Sequence, residues 1–223
     1  MTTPSPPTTD SRIARLQALY AAAVHDVLRG LGHDDCVLPA ALRPLDPTSR
    51  LAGPVWTVSG YLDKSRSRHD TLLGWTTVLS RAPGGHIVVC QPNNQQVALM
   101  GELSAETLQA KGVLGYVVDG GCRDTQAILD RRFAVFHTFF TPSDIVERWM
   151  PDRFGEALTI GSVTLQTGDW LIGDRDGLVA IPQAIVDDVI ERTEAVAGTE
   201  NQVRDAIRAG MDPVDAYLKF GKF

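Results

Sequence analysis

The sequence predicts an α/β fold, a single domain built on a largely buried central sheet. Three observations carry that expectation. Short β-rich apolar runs alternate with helical stretches between residues 86 and 140. A strand-and-turn pattern without helices follows over residues 162–182. Helical stretches occupy both ends of the chain.

Taken in order, residues 1–11 are rich in Pro, Ser and Thr and predict a disordered leader with no apolar signal-peptide core, and the domain is expected over 12–223. Asp10 or Ser11 is placed to cap a first helix with Ile13, Leu16, Leu19 and Tyr20 on one face. AAAVHDVLRGLG predicts a second helix closing at Gly30 or Gly32. The two prolines of ALRPLDPTSRLAG predict a loop, and PVWTVSGYL a strand. HDTLLGWTTVLSRA has helical spacing and stops at APGG. HIVVC is a short buried strand, QPNNQQ a polar turn, and VALMGELSAETLQAKG an apolar start that runs into a helix. LGYVVDGG predicts a strand, QAILDRR a short helix and FAVFHTFF a strand. SVTLQTGDWLIGDRDGLVAIP predicts two or three strands with turns at Thr167–Gly168 and Asp174–Gly177. IVDDVIERTEAV and ENQVRDAIRAG predict paired helices before a short aromatic tail.

The net charge of −6 and the absence of any basic run argue against nucleic acid as the main partner. No apolar run reaches the ~18 residues of a membrane helix. Cys36, Cys90 and Cys122 are far apart and odd in number, which fits reduced thiols and a cytoplasmic setting. The five histidines form no H-x-x-x-H pair, and no lysine sits where burial would prepare it for Schiff-base chemistry. Neither G-x-S-x-G nor a strand followed by G-x-G-x-x-G occurs.

The chemistry-bearing stretch is GELSAETLQAKGVLGYVVDGGCRD, residues 101–124. Arg123 and Asp124 follow the end of a buried strand, where ligands of α/β sheets bind. Gly120 and Gly121 are expected to let the backbone approach a ligand. Asp124 supplies the hard oxygen that Mg²⁺ prefers, and Arg123 a planar fork for an oxyanion. A salt bridge in a turn fits the same spacing equally well. Gly101, Glu102, Leu103 and Ser104 lie where a loop enters a helix, with unpaired amides that favour an anion. Glu102 there is either a carboxylate near a metal or a helix-stabilising acid of the first turn.

The G-E-L motif, in which twenty residues separate Glu102 from Arg123-Asp124, together with HDVLRGLG, RLAGPVWTV, APGGHIVV and TGDWLIGDRDGLVAIP, resembles the family that joins 4-hydroxy-4-methyl-2-oxoglutarate aldolases with regulator of ribonuclease activity A proteins. The resemblance covers about residues 12–215. It implies a swivelling β/β/α fold of the phosphohistidine-domain type with N- and C-terminal helices. It also implies a homotrimer, sometimes paired into a hexamer, with sites between subunits. The implied activity is metal-dependent cleavage of a 4-hydroxy-2-oxo acid to pyruvate with Mg²⁺ or Mn²⁺, and decarboxylation of oxaloacetate at the same site. Asp124 matches the metal-binding aspartate, Arg123 the arginine on the keto oxygen and Glu102 the acid beside the metal's waters. The amides of Leu103 and Ser104 match those on the pyruvyl carboxylate, and Glu200 the glutamate from a neighbouring subunit. The implied alternatives are a non-catalytic regulator that binds a protein partner, and a lyase or hydratase for another 2-oxo acid. Two departures bear on substrate: Ser104 stands where the pattern has an apolar residue, and CQPNNQQ replaces an aspartate-glycine turn. Asn93, Asn94 and Gln95 are then expected to bring amides to the pocket, Asn94 as a substrate contact.

Overall fold

The structure is a computed structural model and describes residues 9–222. Residues 1–8 of the expected leader lie outside the described residues, and 9–11 already belong to a helix. The elements in chain order are α1 (Thr9–Gln17), α2 (Ala21–Gly30), β1 (Arg43–Pro44), β2 (Leu51–Leu62), α3 (Arg68–Arg81), β3 (Ile87–Gln91), β4 (Ala98–Met100) and α4 (Glu102–Ala110). These are followed by β5 (Gly115–Val118), β6 (Gly121–Cys122), α5 (Thr125–Arg131), β7 (Val135–His137), β8 (Phe139–Phe140), β9 (Trp149–Phe154), β10 (Leu158–Ile160) and β11 (Val163–Leu165). The chain closes with β12 (Trp170–Asp174), β13 (Gly177–Ile181), α6 (Val186–Arg208) and α7 (Pro213–Phe220).

The expected mixed α/β architecture is the one observed. The main sheet runs β1-β7-β5-β3-β2-β12-β13, with β9 also paired to β2. Its centre, β2-β3-β5-β7, is parallel, and β1, β9, β12 and β13 join antiparallel. Both faces of the parallel part are buried, which is why these strands read as continuous apolar runs. Successive side chains go to opposite faces. Val88, Cys90, Tyr116 and Val118 pack with Trp56, Trp75 and Trp149 on one side. Ile87, Val89 and Val117 pack with Val55, Phe136 and Leu171 on the other. A third cluster holds α1, α2 and α6 against β12 and β13 through Leu16, Val24, Leu28, Trp170, Ile172 and Val189.

Local chemistry sets several boundaries. Ser67 and Asp70 form a reciprocal capping box at the start of α3, an arrangement worth about 1 kcal/mol. The GDRDG turn closes the β12–β13 hairpin, and Asp174 Oδ2 accepts the Ala21 amide at 2.9 Å, capping α2. Asp212 caps α7 by accepting the Val214 amide, with Pro213 in its first turn.

Three expectations change. FAVFHTFF is not one strand. Thr138 leaves the main sheet to donate to Gly120 O at 3.0 Å, and β8 joins β4 and β6 in a separate three-stranded sheet. The paired C-terminal helices are one 23-residue helix, α6, which runs through Gly198 because the cost of one helical glycine, about 1 kcal/mol, is too small to break it. The aromatic tail is helical in α7 up to Phe220, and Phe223 lies outside the described residues.

Candidate active site

The small sheet β4-β6-β8 builds the site. Its three strands are parallel, and an irregularity between Ala98 and Met100 in β4 sets Met100 beside Cys122, with Cys122 beside Phe140. Their carboxyl ends are therefore level. Arg123 N donates to Met100 O at 2.9 Å and Thr141 N to Cys122 O at 3.2 Å, so Gly101, Arg123 and Thr141 leave the sheet side by side. The Arg-Asp pair thus follows β6, not the main-sheet strand β5 as the sequence reading had it. A cleft of about 320 Å³ opens there, lined by Cys122, Arg123, Asp124, Thr125, Phe140, Thr141 and Pro142.

Asp124 sits at the start of α5 with a left-handed backbone, φ 53°. Its Oδ2 accepts the Glu102 amide at 3.2 Å and lies 3.5 Å from Arg123 Nε. Arg123 Nη1 is 3.5 Å from Asp144 Oδ2. Both separations exceed a charge-assisted hydrogen bond of about 2.8 Å, so the guanidinium is flanked by carboxylates and keeps its fork available to an anion. Glu102 Oε1 is 3.7 Å from Arg131 Nη2, which bonds Glu106 at 2.7 Å. Arg131 Nε is buried without a hydrogen-bond partner. The Cys122 thiol is pushed up to about 12 by burial, so at neutral pH it is a protonated packing group and not a nucleophile.

Gly101 is the glycine that admits close approach. A Cβ there would stand 2.7 Å from Asp124 Oδ2 and 3.2 Å from Arg123 Nε. Gly120 and Gly121, expected to serve a ligand, serve internal packing. Their Cβ atoms would meet Pro92 Cγ and Phe139 Cε2, each at 2.8 Å.

Gly101, Glu102, Arg123 and Asp124 come together as expected. Leu103 and Ser104 lie in the first turn of α4, whose N-cap residue Gly101 offers no side-chain bond, so their amides are among those a helix leaves without an internal acceptor. The Ser104 hydroxyl is engaged elsewhere: it accepts Trp75 Nε1 at 2.9 Å. That contact explains the departure from an apolar residue here, since a buried indole N–H needs an acceptor.

Asn94 is a correction. Its Oδ1 accepts the amides of Gln96 and Val97 at 2.9 and 3.1 Å, it is buried, and the cleft's lining does not include it. Asn93 and Gln95 bond Gly60 O and Asp119 O, so the amide run holds its own loop. Glu200 is distant along the chain's own fold: Tyr20 donates its hydroxyl to it, and Lys222 Nζ lies 3.5 Å away. The sequence reading missed Asp144, Phe140 and Arg131. The T-P-S-D turn was the available signal for Asp144; nothing in sequence spacing joins Arg131 to Glu102.

Among the described residues no cluster of three or more His, Cys, Asp or Glu side chains is arranged to hold a metal. One exposed carboxylate beside a glycine cradle fits an ion that keeps most of its waters, as Mg²⁺ does. A caged structural ion does not fit.

The sequence profile described as Aldolase/RraA matches residues 21–180. The chain belongs to the RraA-like family. A protein of Halalkalibacterium halodurans provisionally named 4-hydroxy-4-methyl-2-oxoglutarate aldolase is 23% identical over 207 residues, 93% of each chain. Protein DlpA of Legionella pneumophila is 25% identical over 191 residues, which are 85% of this RraA-like chain and only 30% of DlpA. The crystal structure of an uncharacterized Pseudomonas syringae protein superposes with a TM-score of 0.86 at 24% identity, covering 98% of both chains, and establishes the fold alone. No helix among the described residues is long and apolar enough to cross a membrane.

Proposed function

We propose that this RraA-like chain is a divalent-metal-dependent aldolase that cleaves a 4-hydroxy-2-oxo acid, of the 4-hydroxy-4-methyl-2-oxoglutarate type, to pyruvate and a carbonyl compound, with oxaloacetate decarboxylation as a second activity. The observation that carries the reading is the convergence of Gly101–Glu102 and Arg123–Asp124 at one level sheet edge, with the Glu102 amide on Asp124 at 3.2 Å.

Asp124 would hold Mg²⁺ or Mn²⁺ through one carboxylate, and the ion would supply Lewis-acid polarisation of the substrate carbonyl. The amides of Leu103 and Ser104 receive the substrate carboxylate at the helix N-terminus. Arg123 faces the 2-oxo oxygen, where negative charge grows. The C4 hydroxyl gives its proton to a water held by Glu102, and the C4–O pair becomes a carbonyl. The C3–C4 bond breaks with its electrons passing to C3 and the 2-oxo oxygen, and C3 takes a proton to give pyruvate. Decarboxylation of oxaloacetate needs the same charge stabilisation without the proton acceptor. The reading carries with it a cytoplasmic homotrimer or hexamer in which Glu200 leaves Tyr20 and Lys222 to serve a neighbouring cleft.

The test is pyruvate release from oxaloacetate and 4-hydroxy-4-methyl-2-oxoglutarate with Mg²⁺, Mn²⁺ or EDTA. Metal-dependent release that Asp124→Ala abolishes supports the reading. Full activity in Asp124→Ala, or none in the wild type with either metal, overturns it.

A further inference from the structure

Asp144 stands in the turn that follows β8, and that turn is pinned from three sides. Ser143 O accepts the Ala98 amide of β4 at 2.8 Å, Ser143 N donates to Thr141 Oγ1 at 3.2 Å, and the Ser143 hydroxyl accepts Arg148 Nη1. Asp144 Oδ1 accepts the Val146 amide at 3.1 Å, which fixes the carboxylate and leaves Oδ2 to Arg123.

The Arg123 guanidinium is flanked at two of its nitrogens. Nε lies 3.5 Å from Asp124 Oδ2, and Nη1 lies 3.5 Å from Asp144 Oδ2. Both pairs form within one chain, so they persist whatever a neighbouring subunit adds to the cleft. All three side chains are more than a third exposed, and ion pairs of that kind add little to stability. The fold therefore has little use for the Asp144 charge, whereas the position of the guanidinium depends on it. Each separation is about 0.7 Å longer than a charge-assisted hydrogen bond of about 2.8 Å. Without the attraction at Nη1, the carboxylate left to draw the guanidinium is that of Asp124. Closing that gap would set a cation on the oxygen a divalent ion needs, and would withdraw the fork from a substrate oxyanion.

We propose that Asp144 is a positioning residue. It holds Nη1 so that Arg123 stays off Asp124, which keeps the Asp124 carboxylate open to a divalent cation and the guanidinium open to the oxyanion. Asp144 acts through Arg123 and not on the ion or the substrate. This goes beyond the aldolase reading and rests on its assignment of a divalent ion to Asp124.

The test is Mn²⁺ titration of the full chain, followed by electron paramagnetic resonance, on wild type, Asp144→Asn, Arg123→Ala and the double variant. Asp144→Asn keeps an acceptor for the Val146 amide and removes only the charge, so its melting temperature should match wild type. Its Mn²⁺ affinity is expected to fall about tenfold, and kcat for oxaloacetate decarboxylation to fall with it. In the Arg123→Ala background no guanidinium is left to close on Asp124, so Asp144→Asn should change Mn²⁺ affinity by less than about twofold. A general structural role, or a direct field of the Asp144 carboxylate on the ion, would keep the loss in both backgrounds and overturn the proposal. Wild type that binds no Mn²⁺ would overturn it together with the metal of the aldolase reading. Pyruvate release by a wild type whose Mn²⁺ affinity Asp144→Asn leaves unchanged would overturn the positioning role alone. The expected pattern of affinities without pyruvate release from oxaloacetate or 4-hydroxy-4-methyl-2-oxoglutarate would sink the lyase reading and leave the positioning role standing.

Discussion

The carboxylate of Asp124 occupies the space that a side chain on Gly101 would need, 2.7 Å from the position of its Cβ. Gly101 has an extended backbone, φ −149°, that any residue adopts. Its lack of a side chain is therefore a matter of room and not of conformation. Gly101→Ala should push Asp124 and Arg123 aside without straining the main chain. A displacement near 1 Å in a positioned group costs about 100-fold in rate. We expect oxaloacetate decarboxylation and Mn²⁺ affinity to fall together in Gly101→Ala, with a melting temperature close to wild type. Unchanged rate and affinity would show that the contact does not position a working carboxylate.

Ser104 and Trp75 separate the structural part of α4 from its functional part. The indole N–H is buried and its acceptor is the Ser104 hydroxyl. Ser104→Ala leaves that donor unpaired, at a cost of about 1–3 kcal/mol. The Ser104 amide stays in place, so kcat should remain near wild type. Urea denaturation of Ser104→Ala, Trp75→Phe and the double variant checks this. The two single losses should sum to more than the double loss, because one bond is counted twice.

The strands of the main sheet were legible because burial on both faces writes itself as unbroken apolar runs such as IVVC and YVV. Helix α3 was legible from its helical spacing and the stop at APGG, and the turns at Gly168 and Gly177 from their turn residues. The strand β9 was not: its sequence, WMPDRF, holds a proline and two charges because it is half exposed and pairs along one edge of β2. The small sheet β4-β6-β8 was not legible either. Strands of two or three residues carry no period, and what aligns their ends is hydrogen bonding across long sequence separations. Glu102 and Asp124 were singled out by the family resemblance, their spacing alone fitting a salt bridge and a helix-stabilising acid equally well, and no such pattern covered Asp144 and Phe140.

Burial of titratable groups sets a pH window for the fold. His137 is buried, and desolvation lowers its imidazole below the ordinary 6.5. The unfolded chain binds that proton first, so stability is present above about 6.5 and is lost as pH falls below it. On the alkaline side burial pushes the Cys90 and Cys122 thiols from 9.0 to about 12. The unfolded thiols lose protons first, so stability is lost as pH rises past about 9. Melting temperature should be flat between these limits and fall on both sides, and Cys122→Ala should soften the alkaline fall. A thiol reagent at pH 8 should leave Cys122 unmodified until the chain unfolds. Rapid native labelling of Cys122 would contradict this.

Glu200 is the residue that the proposed reading assigns to a second copy of the chain. In its own fold its carboxylate takes the Tyr20 hydroxyl and lies near Lys222, and burial together with that bond pushes the phenol up to about 12. A purely internal role makes Tyr20→Phe and Glu200→Gln equivalent: each loosens α6 from the N-terminal helices by about 1 kcal/mol and leaves the rate alone. A role in a neighbouring cleft makes them differ, because Glu200→Gln then lowers kcat while Tyr20→Phe frees the carboxylate and does not. Mixed oligomers decide between the two. Chains with Asp124→Ala and chains with Glu200→Ala, each inactive alone, are expected to recover about a quarter of wild-type activity on random mixing in a ring, since one junction in four joins an intact Asp124 to an intact Glu200. No recovery on mixing would confine Glu200 to its own chain and tie its effect to the stability of α6.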